Sequence, residues 1–75
     1  MKVIWNLDYD IAIPLNNISC FEIGSIDEWS SQSKREWKGG KYYVTARYTI
    51  CTGASDIVFS SDSREECIKY IELIH

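Results

Sequence analysis

Strict alternation of apolar and polar residues along one segment constrains the fold most. Successive side chains of a β-strand point to opposite faces, so a strand with one buried face repeats its apolar residues at every second position. The segment KYYVTARYTIC follows this rule and predicts a strand over 41–51. One face would hold Tyr42, Val44, Ala46, Tyr48 and Ile50, and the other Tyr43, Thr45, Arg47, Thr49 and Cys51.

The N-terminal segment carries a second alternating pattern. Apolar residues occupy every odd position from Val3 to Ile13, which predicts a strand over 2–13 with these side chains on one buried face. Such a strand is longer than most, and we expect a bulge or break near Asn6–Asp8. Pro14 lacks an amide proton and is expected to end the strand.

Three shorter strands are predicted over 18–24, 35–38 and 56–60. Gly39–Gly40 is typical of a tight hairpin turn between the second of these and the strand that follows. The intervening segment 25–34 contains SSQS, a loop-like composition, and we expect a loop with at most one helical turn.

The C-terminal segment predicts a helix over 63–74. Ser63 and Glu66 have the spacing of a capping box, in which two side chains satisfy free amides of the first turn. Cys67, Ile71 and Ile74 share one side of this helix. We therefore expect Cys67 to be buried in the core, where a free cysteine behaves as a small apolar residue.

These elements predict an α+β fold: an antiparallel four- to five-stranded sheet, packed on one face by the C-terminal amphipathic helix. The result would be a two-layer single domain over 1–75. A chain of 75 residues has a thin core, and a partner subunit often supplies the missing burial at this size.

Composition argues against several classes of function. The net charge of −3 gives no excess of Lys and Arg for neutralising phosphates, so we expect no nucleic acid partner. No apolar run approaches the roughly 20 residues that span a bilayer, and the N-terminus does not resemble a secretory signal. We expect a cytoplasmic protein that does not bind a membrane and has no cofactor.

A metal or thiol site would have to use Cys20, Cys51, Cys67 and His75, which together could form a Cys3His set. Structural zinc sites usually contain a close pair of ligands, and these four are widely spaced. The single histidine is His75, at the last position, where precise placement of a catalytic base is difficult. We expect no metal and no enzyme activity, with a cysteine-based site as an alternative.

The outer face of the 41–51 strand has a composition that resembles protein interfaces. Its polar and aromatic side chains include Tyr43 and Arg47, two residue types that interfaces favour. Ordinary solvated sheet faces also carry tyrosine and threonine, and this is the simpler interpretation.

Two of the ten aromatic residues, Trp29 and Trp37, lie in the polar segment 26–37. Each would either fold back as a lid on the thin core or remain exposed for a partner. Both alternatives stay open at this point.

The segments IAIPLNNISCFEIG, YYVTARYT and DIVFSSDSREECIKYIELI resemble small uncharacterised proteins of phages and mobile elements of low-GC Gram-positive bacteria. They are also similar to the C-terminal part of bacterial pleckstrin-homology-like folds, with a final hairpin and a capping helix. The first resemblance implies a protein that modulates or inhibits a host complex in defence or replication. The chain is too short for a seven-stranded barrel of the second kind.

The sequence therefore predicts a small non-enzymatic module that binds a protein partner, with a homodimeric structural or regulatory protein as the alternative. The candidate contact residues are Trp29, Trp37, Tyr43, Thr45, Arg47 and Thr49.

Overall fold

The computed structural model describes residues 2–49 and 54–74 and shows a small α+β fold with two antiparallel sheets and a C-terminal helix. Two short 3-10 turns and one short helix connect the strands. In chain order the elements are β1 (Val3–Trp5), β2 (Ala12–Pro14), a 3-10 turn (Leu15–Asn17), β3 (Ile18–Ser25), a 3-10 turn (Ile26–Glu28), α1 (Ser31–Glu36), β4 (Tyr42–Tyr48), β5 (Ser55–Ser61) and α2 (Arg64–Ile74).

The larger sheet has the order β3-β4-β5, with β4 antiparallel to both neighbours. The alternation predicted for β4 is confirmed: Val44 and Ala46 are fully buried, while Arg47 is exposed. A register shift places Phe59 opposite Val44 but Ile57 opposite Thr45, so β5 contains a one-residue bulge. The predicted strand residues 50 and 51 lie outside the described part of the chain.

The helix α2 covers the inner face of this sheet and confirms the predicted amphipathic helix to within one residue at its start. Cys67 is completely buried against Val44, Ala46 and neighbouring apolar residues. Tyr70 stacks on Phe59 with ring centroids 4.6 Å apart and planes 7° from parallel. These contacts join the helix and the sheet into one hydrophobic core.

The N-terminal segment is not the single strand predicted over 2–13. It forms two three-residue strands, β1 and β2, that pair only with each other, so Ile4 lies opposite Ile13. We call residues 3–14 the N-terminal hairpin. Two sheets of two and three strands therefore replace the predicted single sheet of four to five strands.

The chain reverses at Asn6, within the interval where the sequence predicted a break. The Asn6 side-chain oxygen accepts hydrogen bonds from the amides of Asp10 and Ile11, both at 3.0 Å, and its amide group donates to Asp10 Oδ1 at 2.6 Å. The Asn6 backbone amide also donates to the Ile11 carbonyl at 3.0 Å. The Asn6 carbonyl accepts from the Tyr9 amide at 3.1 Å. Five hydrogen bonds of one residue thus close the loop that converts a long alternating segment into a hairpin.

This reversal also corrects the predicted burial of the odd-numbered residues. Ile4 and Ile13 point into the core, with 8% and 2% of their surface exposed, whereas Val3 and Trp5 face outward. Antiparallel pairing explains the change, because directly opposed residues point to the same side of a sheet. Pairing Ile4 with Ile13 therefore places Val3 and Trp5 on the opposite face.

The predicted strand over 35–38 is also wrong, because Ser31–Glu36 forms the helix α1. The Ser30 hydroxyl accepts a hydrogen bond from the Ser33 amide and so caps the helix, and Lys34 and Arg35 lie in its last turn, where positive charge is favourable. Gly39–Gly40 consequently joins a helix to β4 and does not form a hairpin. A side chain at Gly40 would collide with the backbone at Ser61.

We predict that Asn6→Ala destabilises the protein by about 1–3 kcal/mol, because it removes three side-chain hydrogen bonds at once. Urea unfolding followed by circular dichroism measures this difference. Asn16→Ala, at an exposed position of the first 3-10 turn, is the matched control and should change stability by less than about 0.5 kcal/mol. Equal effects of the two substitutions would contradict the role of Asn6 in closing the hairpin.

Candidate interaction surfaces

Three of the predicted contact residues form one aromatic cluster on the face of the sheet opposite α2. Trp29 lies 5.4 Å from both Trp37 and Tyr43, measured between ring centroids, and Trp37 lies 6.4 Å from Tyr43. Both contacts of Trp37 are edge-to-face, the arrangement favoured by the charge distribution of aromatic rings. The Trp37 indole N–H donates to the Gly40 carbonyl at 2.8 Å. We call these three residues the aromatic cluster.

Two glycines provide the space that the aromatic cluster occupies. A Cβ atom at Gly24 would lie 2.5 Å from the ring of Tyr43, and one at Gly39 would overlap the ring of Trp37. Both rings therefore rest directly on backbone. Trp29 packs against both of these rings, and all three rings are half-buried.

The remaining predicted contact residues also have partners within the chain. Arg47 forms an ion pair with Glu22 across β3 and β4, and about half of each side chain is exposed. Thr49 donates its hydroxyl to the Asn17 carbonyl at 3.3 Å, and Thr45 is half-buried between β3 and β5. Their role in binding a partner stays a prediction.

A different surface carries the exposed apolar side chains. Among the residues that the structure describes, five large hydrophobic residues are exposed, and four of them belong to the N-terminal hairpin. We call these four the hairpin surface, and their exposed fractions are 43% for Val3, 45% for Trp5, 76% for Tyr9 and 46% for Ile11.

Sequence reasoning missed the hairpin surface because it assigned these residues to a buried strand face. The composition of Asn6–Asp10 contained the missing information. Asparagine and aspartate occupy three of its five positions, and both residue types favour turns by bonding to nearby backbone amides.

Tyr9 has an unusual backbone at the turn of the hairpin. Its φ of 58° is the only positive value among the described non-glycine residues, and it lies in the left-handed region. An ordinary L-residue pays about 1–2 kcal/mol for this conformation, whereas glycine adopts it freely. A large, exposed aromatic ring is therefore held at a position where a glycine or asparagine would be more stable.

The two cysteines that the structure describes have different surroundings. Cys20 is exposed on β3, directly opposite Arg47, and Cys67 is buried under α2. Burial, followed by the nearby Glu66 carboxylate, raises the pKa of the Cys67 thiol and keeps it protonated. Cys51 and His75 lie outside the described residues. Within 2–49 and 54–74, no three side chains of the His, Cys, Asp and Glu types gather as metal ligands.

One tyrosine at the end of the larger sheet has a strongly altered acidity. The Tyr48 hydroxyl donates a short hydrogen bond to Asp56 Oδ2. This bond, together with burial and the charge of Asp56, raises the pKa of Tyr48 to about 12. Tyr48 is protonated in this hydrogen bond, because a phenolate would face the negative charge of the Asp56 carboxylate directly.

Comparison with known proteins identifies no relative: no protein-family model, no curated protein and no solved structure matches the chain. In the part of the chain that the structure describes, no helix has the length and apolar character needed to cross a bilayer.

We predict that Trp37→Phe lowers stability by about 1 kcal/mol, because it removes the indole donor to Gly40 while retaining an aromatic ring. Thermal unfolding at neutral pH measures the loss. Trp5→Phe makes the same chemical change at an exposed position and should leave the midpoint nearly unchanged. A larger effect at Trp5 than at Trp37 would contradict the packing of the aromatic cluster.

We predict a loss of stability at alkaline pH that depends on Tyr48. Its folded-state pKa of about 12 lies above the unfolded value of about 10, so its contribution is complete below pH 10 and disappears as the pH rises to 12. Urea unfolding at intervals from pH 9 to 12 measures the slope, and absorbance of phenolate follows the titration. Tyr48→Phe should flatten this part of the profile, and an unchanged slope in that variant would refute the assignment.

Proposed function

We propose that this chain is a small non-enzymatic module that binds a protein partner through the hairpin surface. The observation that carries the proposal is the concentration of exposed apolar side chains on residues 3–11, at the edge of a fold whose other large apolar side chains are mostly covered. Isolated exposed apolar residues are common on soluble proteins, but clustered ones are typical of interaction sites.

The residue types of the hairpin surface support this function. Tryptophan and tyrosine are enriched among residues that dominate binding energy, because each buries a large area with few rotatable bonds. Trp5 and Val3 lie on the outward face of the hairpin, and Tyr9 and Ile11 lie at its turn. A partner that covers the outward face would remove Val3 and Trp5 from water, and contact with the turn would cover Tyr9.

Tyr9 provides a second line of support. Its backbone strain has no evident benefit for folding, since the ring is 76% exposed. Strained residues persist where the surrounding structure enforces them, and they concentrate at functional sites. The Asn6 hydrogen bonds enforce this turn, and we infer that the exposed ring of Tyr9 is kept for contact with a partner.

Charge indicates what kind of protein surface fits. Tyr9 lies between Asp8 and Asp10, both exposed, in a chain of net charge −3. A complementary partner would surround an apolar pocket with lysine or arginine, which would speed association and exclude acidic competitors. Arginine would also pack favourably against the exposed aromatic rings.

The non-enzymatic character and the biological setting are part of the same proposal. The buried, protonated Cys67 is a poor nucleophile, because thiolates are the reactive form of cysteine. The resemblance to mobile-element proteins suggests that the partner is a component of a host complex in the cytoplasm, whose activity the module would modulate or inhibit.

We predict opposite effects of Tyr9→Asn on stability and on binding. Stability should rise by about 1 kcal/mol, because asparagine tolerates the left-handed backbone better than tyrosine does. Recovery of the partner from the source cell by the tagged protein should fall at least tenfold. Urea unfolding measures the first quantity, and quantitative mass spectrometry of the captured proteins measures the second.

Thr45→Ala/Thr49→Ala is the control, because it alters the predicted outer-face contacts and leaves the Arg47–Glu22 ion pair in place. This double variant should recover the same partner at the wild-type level. Loss of capture in the control with full capture by Tyr9→Asn would move the binding site from the hairpin to the sheet face. Full capture by both variants would show that neither the hairpin surface nor the sheet face binds the partner.

A further inference from the structure

The two edges of the three-stranded sheet differ in what covers them. At the β5 edge, the Leu7 amide donates to the Ile57 carbonyl at 3.0 Å, so the N-terminal hairpin lies against that edge. At the other edge, no strand among the described residues pairs with the outer side of β3. Strand β3 is eight residues long, the longest of the described strands. Among the described residues, one edge of the sheet is therefore covered, and the longer one, which we call the open edge, has no strand partner.

The open edge lacks most features that normally protect an exposed strand. Proteins usually place lysine, proline or an inward charge on such edges to prevent pairing with another chain. Strand β3 contains neither lysine nor proline, and its single charge, Glu22, is held by Arg47 of the adjacent strand. The register shift between Ile18 and Cys20 is the one protecting irregularity, and it lies at the start of the strand.

Backbone geometry shows which groups face the open side. The Ile26 amide donates to the Lys41 carbonyl at 3.0 Å, so residues 26 and 41 form a hydrogen-bonded pair. In an antiparallel ladder such pairs alternate with non-bonded ones. Glu22 therefore directs its amide toward β4, whereas Ile23 and Ser25 direct theirs away from it.

An apolar groove accompanies this edge on the side of α2. Its volume is about 380 Å³, and the residues that line it come from the first 3-10 turn, from β3 and from the last turns of α2. They include Leu15, Ile18, Ser19, Ile71 and Ile74. Pairing of β3 with another strand would thus bring apolar side chains together beside the new hydrogen bonds.

We propose that the β3 edge is a self-association surface, on which a second copy of this chain pairs its own β3 in antiparallel orientation. Two-fold symmetry would join two three-stranded sheets into one of six strands and place the two grooves beside each other. In one register, Glu22 of one copy would lie directly opposite Glu22 of the second copy. Every other register separates the two carboxylates. This surface is adjacent to the hairpin surface at Val3, because Leu15 and Ile74 line the groove and also a second pocket that includes Val3.

The size of the edge fits a second copy with moderate affinity. Eight residues at about 3.4 Å each make an edge about 27 Å long. Pairing along an edge of this length falls at the small end of the size range of specific interfaces, so we expect a dimer that dissociates reversibly.

Sedimentation velocity of the full chain from about 1 µM to 1 mM tests the proposal, together with the variant Ser19→Lys. Ser19 is exposed and lines the groove, so a lysine there is hydrated in the monomer and loses water in the dimer. We expect a dimer whose dissociation constant rises at least tenfold in Ser19→Lys. Gln32→Lys, which adds the same charge on exposed α1, should dimerise like the wild type.

Amide hydrogen exchange provides a readout that does not depend on any substitution. The amides of Ile23 and Ser25 should become protected as concentration rises, while that of Glu22 should be equally protected throughout. A monomer up to 1 mM would overturn the proposal. A dimer that forms equally in Ser19→Lys, with Ile23 and Ser25 unprotected, would also overturn it by placing the interface elsewhere.

Discussion

The set of hydrogen bonds made by Asn6 determines how the first fifth of the chain contributes to the fold. By closing the loop to Asp10 and Ile11, Asn6 places Ile4 opposite Ile13 and delivers both to the core beneath α2. The same loop brings the Leu7 amide to the edge of β5. Six of the described residues are buried in the core and two of them belong to this hairpin, so the turn and the core depend on each other.

The larger sheet is covered on both faces, but by different means. On one face, α2 supplies Cys67 and a stack between Tyr70 and Phe59. On the other face, the aromatic cluster rests on the glycines of β3 and of the loop before β4. A second amphipathic helix would need many more residues, whereas two tryptophans on a short connection cover the face with little chain. Large aromatic residues are therefore an economical solution for a domain of this size.

Periodicity predicted the elements whose pattern and environment agree. Strand β4 alternates in sequence and has a buried and a less buried face, and α2 combines helical spacing with a buried Cys67. The N-terminal pattern was misleading because alternation indicates strand conformation but does not show where one strand ends and the next begins. A single asparagine with three side-chain hydrogen bonds redirected the chain there. The α1 segment had no apolar period to detect, since its six residues are all polar and its start depends on the Ser30 cap.

The same local effects explain where the structure places the aromatic and exposed apolar side chains. Trp29 and Trp37 are predicted contact residues because their neighbours in sequence are polar. In the structure, Trp29 packs against the rings of Trp37 and Tyr43, which rest on Gly39 and Gly24. Val3 and Trp5 looked buried because every second residue is apolar, yet the hairpin turns them outward. In a domain this small, each apolar residue that the core cannot accommodate remains at the surface. The proposed contact with a partner gives a physical reason for the exposure of apolar residues beside an enforced, strained turn.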